Sequence, residues 1–213
     1  MKIQHIFFDL DNTLWDHRRN AYLTLKDIFN RQKVSEKYNL NFEDFHREYF
    51  TINERLWEQI RDGEIDKDYL RTHRFYDTFL YEILNYNDLV EGAFELLEYL
   101  SEKNYQLHIL SNGFKEVTTR KCELSGIKNY FKTITSADEI NVRKPHREVY
   151  QYALNKAGAK KEESMMIGDD WIADVEGGKS FGLQVVFFDV FNDNFQAEGV
   201  EVIKKLAELK NLL

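Results

Sequence analysis

The feature that most constrains this chain is a series of short apolar runs rich in β-branched residues. They are Ile3–Phe8, Gln106–Leu110, Lys132–Thr135, Ser164–Ile167 and Leu183–Phe188. Each is about one strand long, and most are apolar on both faces. A strand apolar on both faces must be covered on both, which is the pattern of a parallel sheet between helices. Segments of helical period separate the runs. Glu91–Asn104 places Ala93, Phe94, Leu96, Leu97 and Leu100 at helical spacing. Lys115–Ser125 stops at Gly126, and Glu148–Ala157 stops at Gly158. Glycine just past the last periodic residue is a helix stop signal. The expected fold is α/β, a Rossmann-like parallel sheet with helices on both faces.

One stretch breaks this rhythm. From Asp16 to Asp88 no strand is evident. The segment reads as amphipathic helices over Arg19–Lys33, Phe42–Arg61 and Lys67–Leu84, with Gly63 at a turn. The expected organisation is therefore a core made of residues 1–15 and 89–213, with residues 16–88 inserted after the first strand. A hydrophobic fraction of 43 % over 213 residues suffices for a buried core. The net charge of −8 disfavours nucleic-acid polymers as partners but leaves room for a small phosphorylated ligand at one local cation. No apolar run approaches the ~20 residues that span a bilayer. The single cysteine, Cys122, has no internal disulfide partner, so a reducing, cytoplasmic setting is expected.

The chemistry-bearing residues sit where the strands end. The first strand runs into Asp9-Leu10-Asp11-Asn12-Thr13, and the fourth into Gly168-Asp169-Asp170, with Asp174 four residues further on. In open α/β sheets ligands bind beyond the carboxyl ends of the strands. Asp9, Asp11, Asp169 and Asp174 would then form an oxygen-rich negative cluster, stable only with a hard cation. Magnesium suits a few carboxylates plus a substrate phosphate. The second strand ends at Ser111-Asn112-Gly113, whose hydroxyl and backbone N–H groups ahead of a helix make an anion cradle. Lys144, beside the lone proline Pro145, offers a point charge for a phosphate oxygen.

This ordered set resembles the haloacid dehalogenase-like phosphatase superfamily over essentially the whole chain. Asp9, Asp11 and Thr13 match its first motif, Ser111 the second, Lys144 the third, and Gly168, Asp169 and Asp174 the fourth. The insert after the first motif looks like that superfamily's helical cap. The resemblance implies a magnesium-dependent phosphomonoester hydrolase. In that reading Asp9 is the nucleophile and Asp11 the general acid and base. Lys144 and Ser111 are catalytic, and Asp9, Asp11, Asp169 and Asp174 hold the metal, Asp11 through its backbone carbonyl and Asp174 from the outer shell. The cap is then expected to close over the site and read the leaving group. A finer likeness joins Asn112-Gly113-Phe114, Gly126-Ile127-Lys128-Asn129-Tyr130-Phe131, Lys144-Pro145, Tyr152-Ala153-Leu154, Leu56-Trp57 and Gly63-Glu64-Ile65 to the pyrimidine 5′-nucleotidase branch. It implies a nucleoside monophosphate substrate, with Thr13, Asn112, Gly113 and Trp57 among the binding residues. Asp170-Trp171 departs from the usual fourth motif and leaves open whether Asp170 touches metal.

Other readings stay open. Acidic residues at strand ends are often turn formers or helix caps. Trp57, Phe50, Phe75 and Phe79 can stack on a base, although aromatics at helical spacing usually form core. Trp15 and Trp171 flank two motifs and either wall the site or pack the hinge. His5 and His108 lie in strand runs, where a buried, hydrogen-bonded role is expected. Sugar-phosphate hydrolysis or isomerisation and 2-haloacid dehalogenation are alternatives. So is a receiver-like phospho-acceptor module, which also gathers aspartates and a lysine.

Overall fold

The computed structural model describes residues 2–65, 69 and 86–213. They fall into two compact units, one of Met1–Asp16 with Asp88–Leu213, the other His17–Asn87. The first unit holds a six-stranded sheet: β1 (His5–Phe8), β2 (Gln106–Ser111), β3 (Phe131–Ser136), β4 (Ser164–Gly168), β5 (Gln184–Phe188) and β6 (Glu201–Ile203). The spatial order is β3-β2-β1-β4-β5-β6, and every adjacent pair is parallel. The three-residue β6 was not expected. It is too short, and too charged at Glu201, to stand out as an apolar run.

The register explains the double-sided apolar runs. Phe7 lies beside His108 and Met166, and Met166 beside Val185. On that face Phe7, Leu110, Met166, Val185 and Phe187 form one core cluster with Val149, Tyr150, Ala153 and Leu154. The last four come from the helix Arg147–Ala157. Ile6 and Phe8 point the other way along the pleat and are fully buried as well. Apolar burial on this scale, about 25 cal/mol per Å², is what holds the sheet together.

The order reverses between β1 and β4. From β1 the chain builds outward through β2 and β3, then returns to add β4, β5 and β6 on the other side. Such a switch point leaves a crevice beyond the carboxyl ends of the two central strands. Asp9 follows β1 and Asp169 follows β4. The helix Lys115–Leu124 follows β2, and Gly126, with φ of 76°, supplies the left-handed turn that ends it. After β4 the chain makes one π-helical turn, Trp171–Glu176, before the short helix Gly177–Phe181.

In the other unit, α1 (His17–Arg31) is the helix expected over Arg19–Lys33, and a short α2 (Val34–Tyr38), which was not expected, follows it. Lys33 adopts left-handed backbone, φ 52°, and breaks the run. α3 spans Phe42–Arg61. The expected helix Lys67–Leu84, with Phe75 and Phe79, lies outside the described residues. The chain leaves the core and re-enters it at adjoining points. Asp16 N donates to Asp88 O at 3.0 Å, and Val90 N to Leu14 O at 2.9 Å. Among the described residues no helix is long and apolar enough to cross a membrane.

Candidate active site

Asp9 stands one residue past β1, and its backbone N–H donates to Ile167 O on β4 at 2.9 Å. That bond ties the two central strands together where their side chains diverge. Gly168 ends β4. A Cβ there would fall 2.1 Å from Asp174 Oδ2, so only glycine lets the returning turn place Asp174 against the strand. Asp170 Oδ1 accepts from Ile172 N and Ala173 N, both at 2.9 Å, and caps that turn. Asp174 is thereby turned back inward. One carboxylate oxygen each of Asp9, Asp169 and Asp174 then lie within 4.8 Å of one another.

Lys144 is the cation inside this group. Its Nζ donates to Asp9 Oδ1 at 2.7 Å and to Asp174 Oδ1 at 2.6 Å, and its side chain is 1 % exposed. The backbone around it is clamped by Asn112. Lys144 N donates to Asn112 Oδ1 at 2.8 Å, while Asn112 Nδ2 donates to Lys144 O at 3.0 Å. Asp174 Oδ2 accepts from Asp170 N at 3.1 Å. Both oxygens of Asp174 are thus engaged by protein donors. Asp169 Oδ1 accepts from the buried Thr13 hydroxyl at 3.2 Å.

The electrostatics is unbalanced. Burial, with help from Asp174 and Asp11, outweighs Lys144 and pushes the Asp9 carboxyl up to about 7. Asp169 is raised well above the carboxylate range by burial and by Asp9, Asp174 and Asp170. Asp174 is raised by burial, with Asp170 adding to it and Lys144 opposing. Burial alone would lower Lys144, but Asp174 and Asp9 carry it above its ordinary value. Three crowded carboxylates against one ammonium are the setting in which a divalent cation is stabilised, and a hard all-oxygen donor set fits magnesium.

Of the remaining expected residues, Ser111 and Asp11 lie on the β2 side. Ser111 Oγ accepts from Gly113 N at 2.9 Å, closing the turn. The Asp11 carboxylate does not join the trio; Lys121 Nζ donates to its Oδ1. Trp57 is half-buried on α3, in the helical unit. Phe50 packs there against His46, ring centroids 4.7 Å apart, and against Tyr49. Trp15 is fully buried under Lys121, and Trp171 packs on Phe187 and Phe195. His108 is buried and shares a hydrogen bond with Thr133 Oγ1, as expected of a core histidine.

Lys121 is the residue the sequence reading passed over. A signal was available: on the helix Lys115–Leu124 the buried positions are Thr118, Lys121 and Cys122. A lysine on the inward stripe of an amphipathic helix needs a buried partner.

Comparison with known proteins fits this geometry. The family model for haloacid dehalogenase-like hydrolases matches residues 3–182. The chain is 28 % identical to the pyrimidine 5′-nucleotidase YjjG of Escherichia coli, covering 100 % of this chain and 99 % of that protein. It is 31 % identical to the pyrophosphatase PpaX of Oceanobacillus iheyensis, over 80 % and 76 % of the two chains. Among solved structures, YfnB of Bacillus subtilis, a HAD-hydrolase by name and bound to magnesium, superposes with a TM-score of 0.87 at 25 % identity. That alignment covers 100 % of this chain and 99 % of YfnB.

Proposed function

The chain belongs to the haloacid dehalogenase-like hydrolases and is a phosphoric monoester hydrolase. From that premise we propose that it dephosphorylates nucleoside monophosphates through a phosphoryl-Asp9 intermediate, with magnesium as its metal. The observation that carries this reading is the meeting of Asp9, Asp169 and Asp174 around Lys144 at the β1/β4 switch point.

Asp9 Oδ2 attacks phosphorus while Lys144 holds Oδ1. As the bond from phosphorus to the leaving oxygen breaks, Asp11 gives that oxygen its proton. Asp11 then takes a proton from water, whose oxygen attacks the same phosphorus and releases Asp9 and phosphate. Lys144, the Ser111 hydroxyl and the Asn112 backbone N–H steady the phosphoryl oxygens, and such positioning is most of the catalysis in phosphoryl transfer. Asp9 and Asp169, with the Asp11 backbone carbonyl, are the donors for magnesium, while Asp174 orients them through Lys144 and Asp170. Bound there, the ion supplies charge neutralisation between two approaching anions. The insert of residues 16–88 is the part read as a substrate-selecting cap, with Trp57 its candidate base contact. A cytoplasmic setting belongs to the same reading, since the one buried thiol, Cys122, asks for no oxidising compartment.

Asp9→Asn should lower phosphate release by about a thousand-fold or more with the circular dichroism spectrum unchanged. EDTA should silence the wild type and magnesium restore it. Wild-type turnover in the variant would end the proposal. The likeness to PpaX gives a second reading, pyrophosphate as substrate. A magnesium-containing phosphate-release panel of nucleoside monophosphates, sugar phosphates, acyl phosphates and pyrophosphate decides between them. Preference for pyrophosphate would overturn the nucleotide assignment and leave the Asp9 chemistry standing.

A further inference from the structure

Lys121 is anchored by a carboxylate and by a ring. Its Nζ donates to Asp11 Oδ1 and lies 4.1 Å from the centre of the Trp15 indole. Its side chain is 6 % exposed, against 30 % for Asp11. An ammonium this deep needs compensation by charge and ring, and both partners come from the loop after β1. That loop is stiff. Leu14 N and Trp15 N both donate to Leu10 O, Asn12 N donates to Trp15 O at 2.7 Å, and Asn12 has φ of 61°. Lys121 therefore fastens the two ends of the loop, Asp11 and Trp15, to the helix that follows the Ser111-Asn112-Gly113 turn.

The second Asp11 oxygen has a defined place. A Cβ at Gly113 would lie 3.8 Å from Asp11 Oδ2 and 3.0 Å from Ser111 Oγ. The Asp11 carboxylate thus stands over the β2 turn, with Oδ1 taken by Lys121 and Oδ2 toward Gly113.

We propose that Lys121 is a positioning residue for the reaction. Seated on the Trp15 indole, its ammonium holds Asp11 Oδ1 so that Oδ2 exchanges the proton at the leaving oxygen, over the Ser111–Gly113 turn. The inference rests on the phosphohydrolase reading above. It adds that proton delivery depends on a cation carried by the helix after the second motif.

A leaving-group series tests it. Lys121→Met keeps the length and loses the charge, and Lys121→Arg restores a cation. Wild type and variants are compared on p-nitrophenyl phosphate, phenyl phosphate and a simple alkyl phosphate, with magnesium. The nitrophenolate leaves without a proton, whereas the alkoxide cannot. Lys121→Met should lose about ten-fold or more on the alkyl ester beyond its loss on the nitrophenyl ester, and Lys121→Arg should recover most of that gap. An equal loss on all three esters, or none, would overturn the proposal. Should Lys121→Met not fold by circular dichroism, Lys121→Gln is measured in its place. A crystal structure of the neutral variant gives a readout independent of turnover. The Asp11 carboxylate is expected to leave its place over Gly113, and finding it unmoved would refute the positioning role. Wild type inactive on every ester would count instead against the phosphohydrolase reading, and the crystal structure would still decide the role of Lys121.

Discussion

The two units use charge in opposite ways. In the sheet unit, ionised groups are buried: the side chains of Lys144 and Asp174 are each 1 % exposed and lie 2.6 Å apart. In the helical unit, Arg47 pairs with Asp44 while 74 % and 50 % exposed. Its interior is aromatic instead, with Phe29 and Tyr22 packed against Phe42 at centroid distances of 5.5 Å and 5.2 Å. A buried ion pair is costly to assemble and returns little net stability, whereas an exposed one is nearly neutral. Stability therefore does not explain why the charges of the core are where they are. They stand at the β1/β4 switch point, where the proposed chemistry would use them, and the helical unit is held by packing and caps.

The largest effect should come from breaking the core side of this contrast. Lys144→Met strands Asp9 and Asp174 in a dry site. The cost should be about 3 to 5 kcal/mol at neutral pH, together with loss of phosphate release. The pH dependence follows from the carboxyls, already raised by burial with Lys144 opposing the rise. Without the lysine their folded-state pKa values climb further above the unfolded ones. Stability is then present at low pH and lost as pH rises through those values. Denaturant unfolding without metal should show Lys144→Met closer to wild type at pH 6 than at pH 8. A variant equally stable at both would contradict the account of the buried cluster.

How far the sequence alone reaches follows the same division. Most of the strands were legible because burial on both faces leaves a continuous apolar run, β3 by its β-branched Thr133, Ile134 and Thr135, and β6 was not, because three residues carry no period. Asp9, Ser111, Lys144 and Asp169 were findable because each follows such a run. The local course of Asp174 was not, because it depends on a π-helical turn in which Asp174 N and Val175 N both donate to Asp170 O. The partner of Asp11 was also hidden. The sequence offers Asp11 to the metal cluster, while the fold brings Lys121, 110 positions away, to its carboxylate. Motif spacing records what each strand end carries. It does not record which helix face leans over it.

The next effect separates two histidines. His108, in β2, stacks on Phe7 at 4.7 Å, and burial first, then His5 and Lys132, lower it from 6.5 to about 4. As pH falls, the unfolded chain takes up this proton first. The contribution of this histidine is complete above pH 6.5 and declines toward pH 4, by roughly 2 to 3 kcal/mol. Burial also lowers His46 in the helical unit, but Glu43 opposes it. Thermal melts from pH 7.5 to 4.5 should fall less steeply for His108→Gln than for wild type, with His46→Gln closer to wild type. Parallel curves for His108→Gln and wild type would show that the buried histidine is not the source of the slope.

The smallest effects lie in the helical unit and rank a backbone cap above an ion pair. Asn41 precedes α3 with extended backbone, φ −90° and ψ 158°, and its Oδ1 accepts from Asp44 N at 2.9 Å. That bond satisfies one of the donors a helix start leaves open, so Asn41→Ala should cost about 1 kcal/mol. Arg47 contacts the same Asp44 from the solvent side, where water competes for both ends and two long side chains must be ordered. Arg47→Ala should leave the unfolding midpoint unchanged, and raising the salt concentration should leave the wild type unchanged relative to it. Amide exchange over residues 42–45 gives the local measure: faster exchange is expected in Asn41→Ala and not in Arg47→Ala. The reverse order would mean that surface charge, not the cap, secures the start of this helix, and the contrast between the two units would fail at its simplest point.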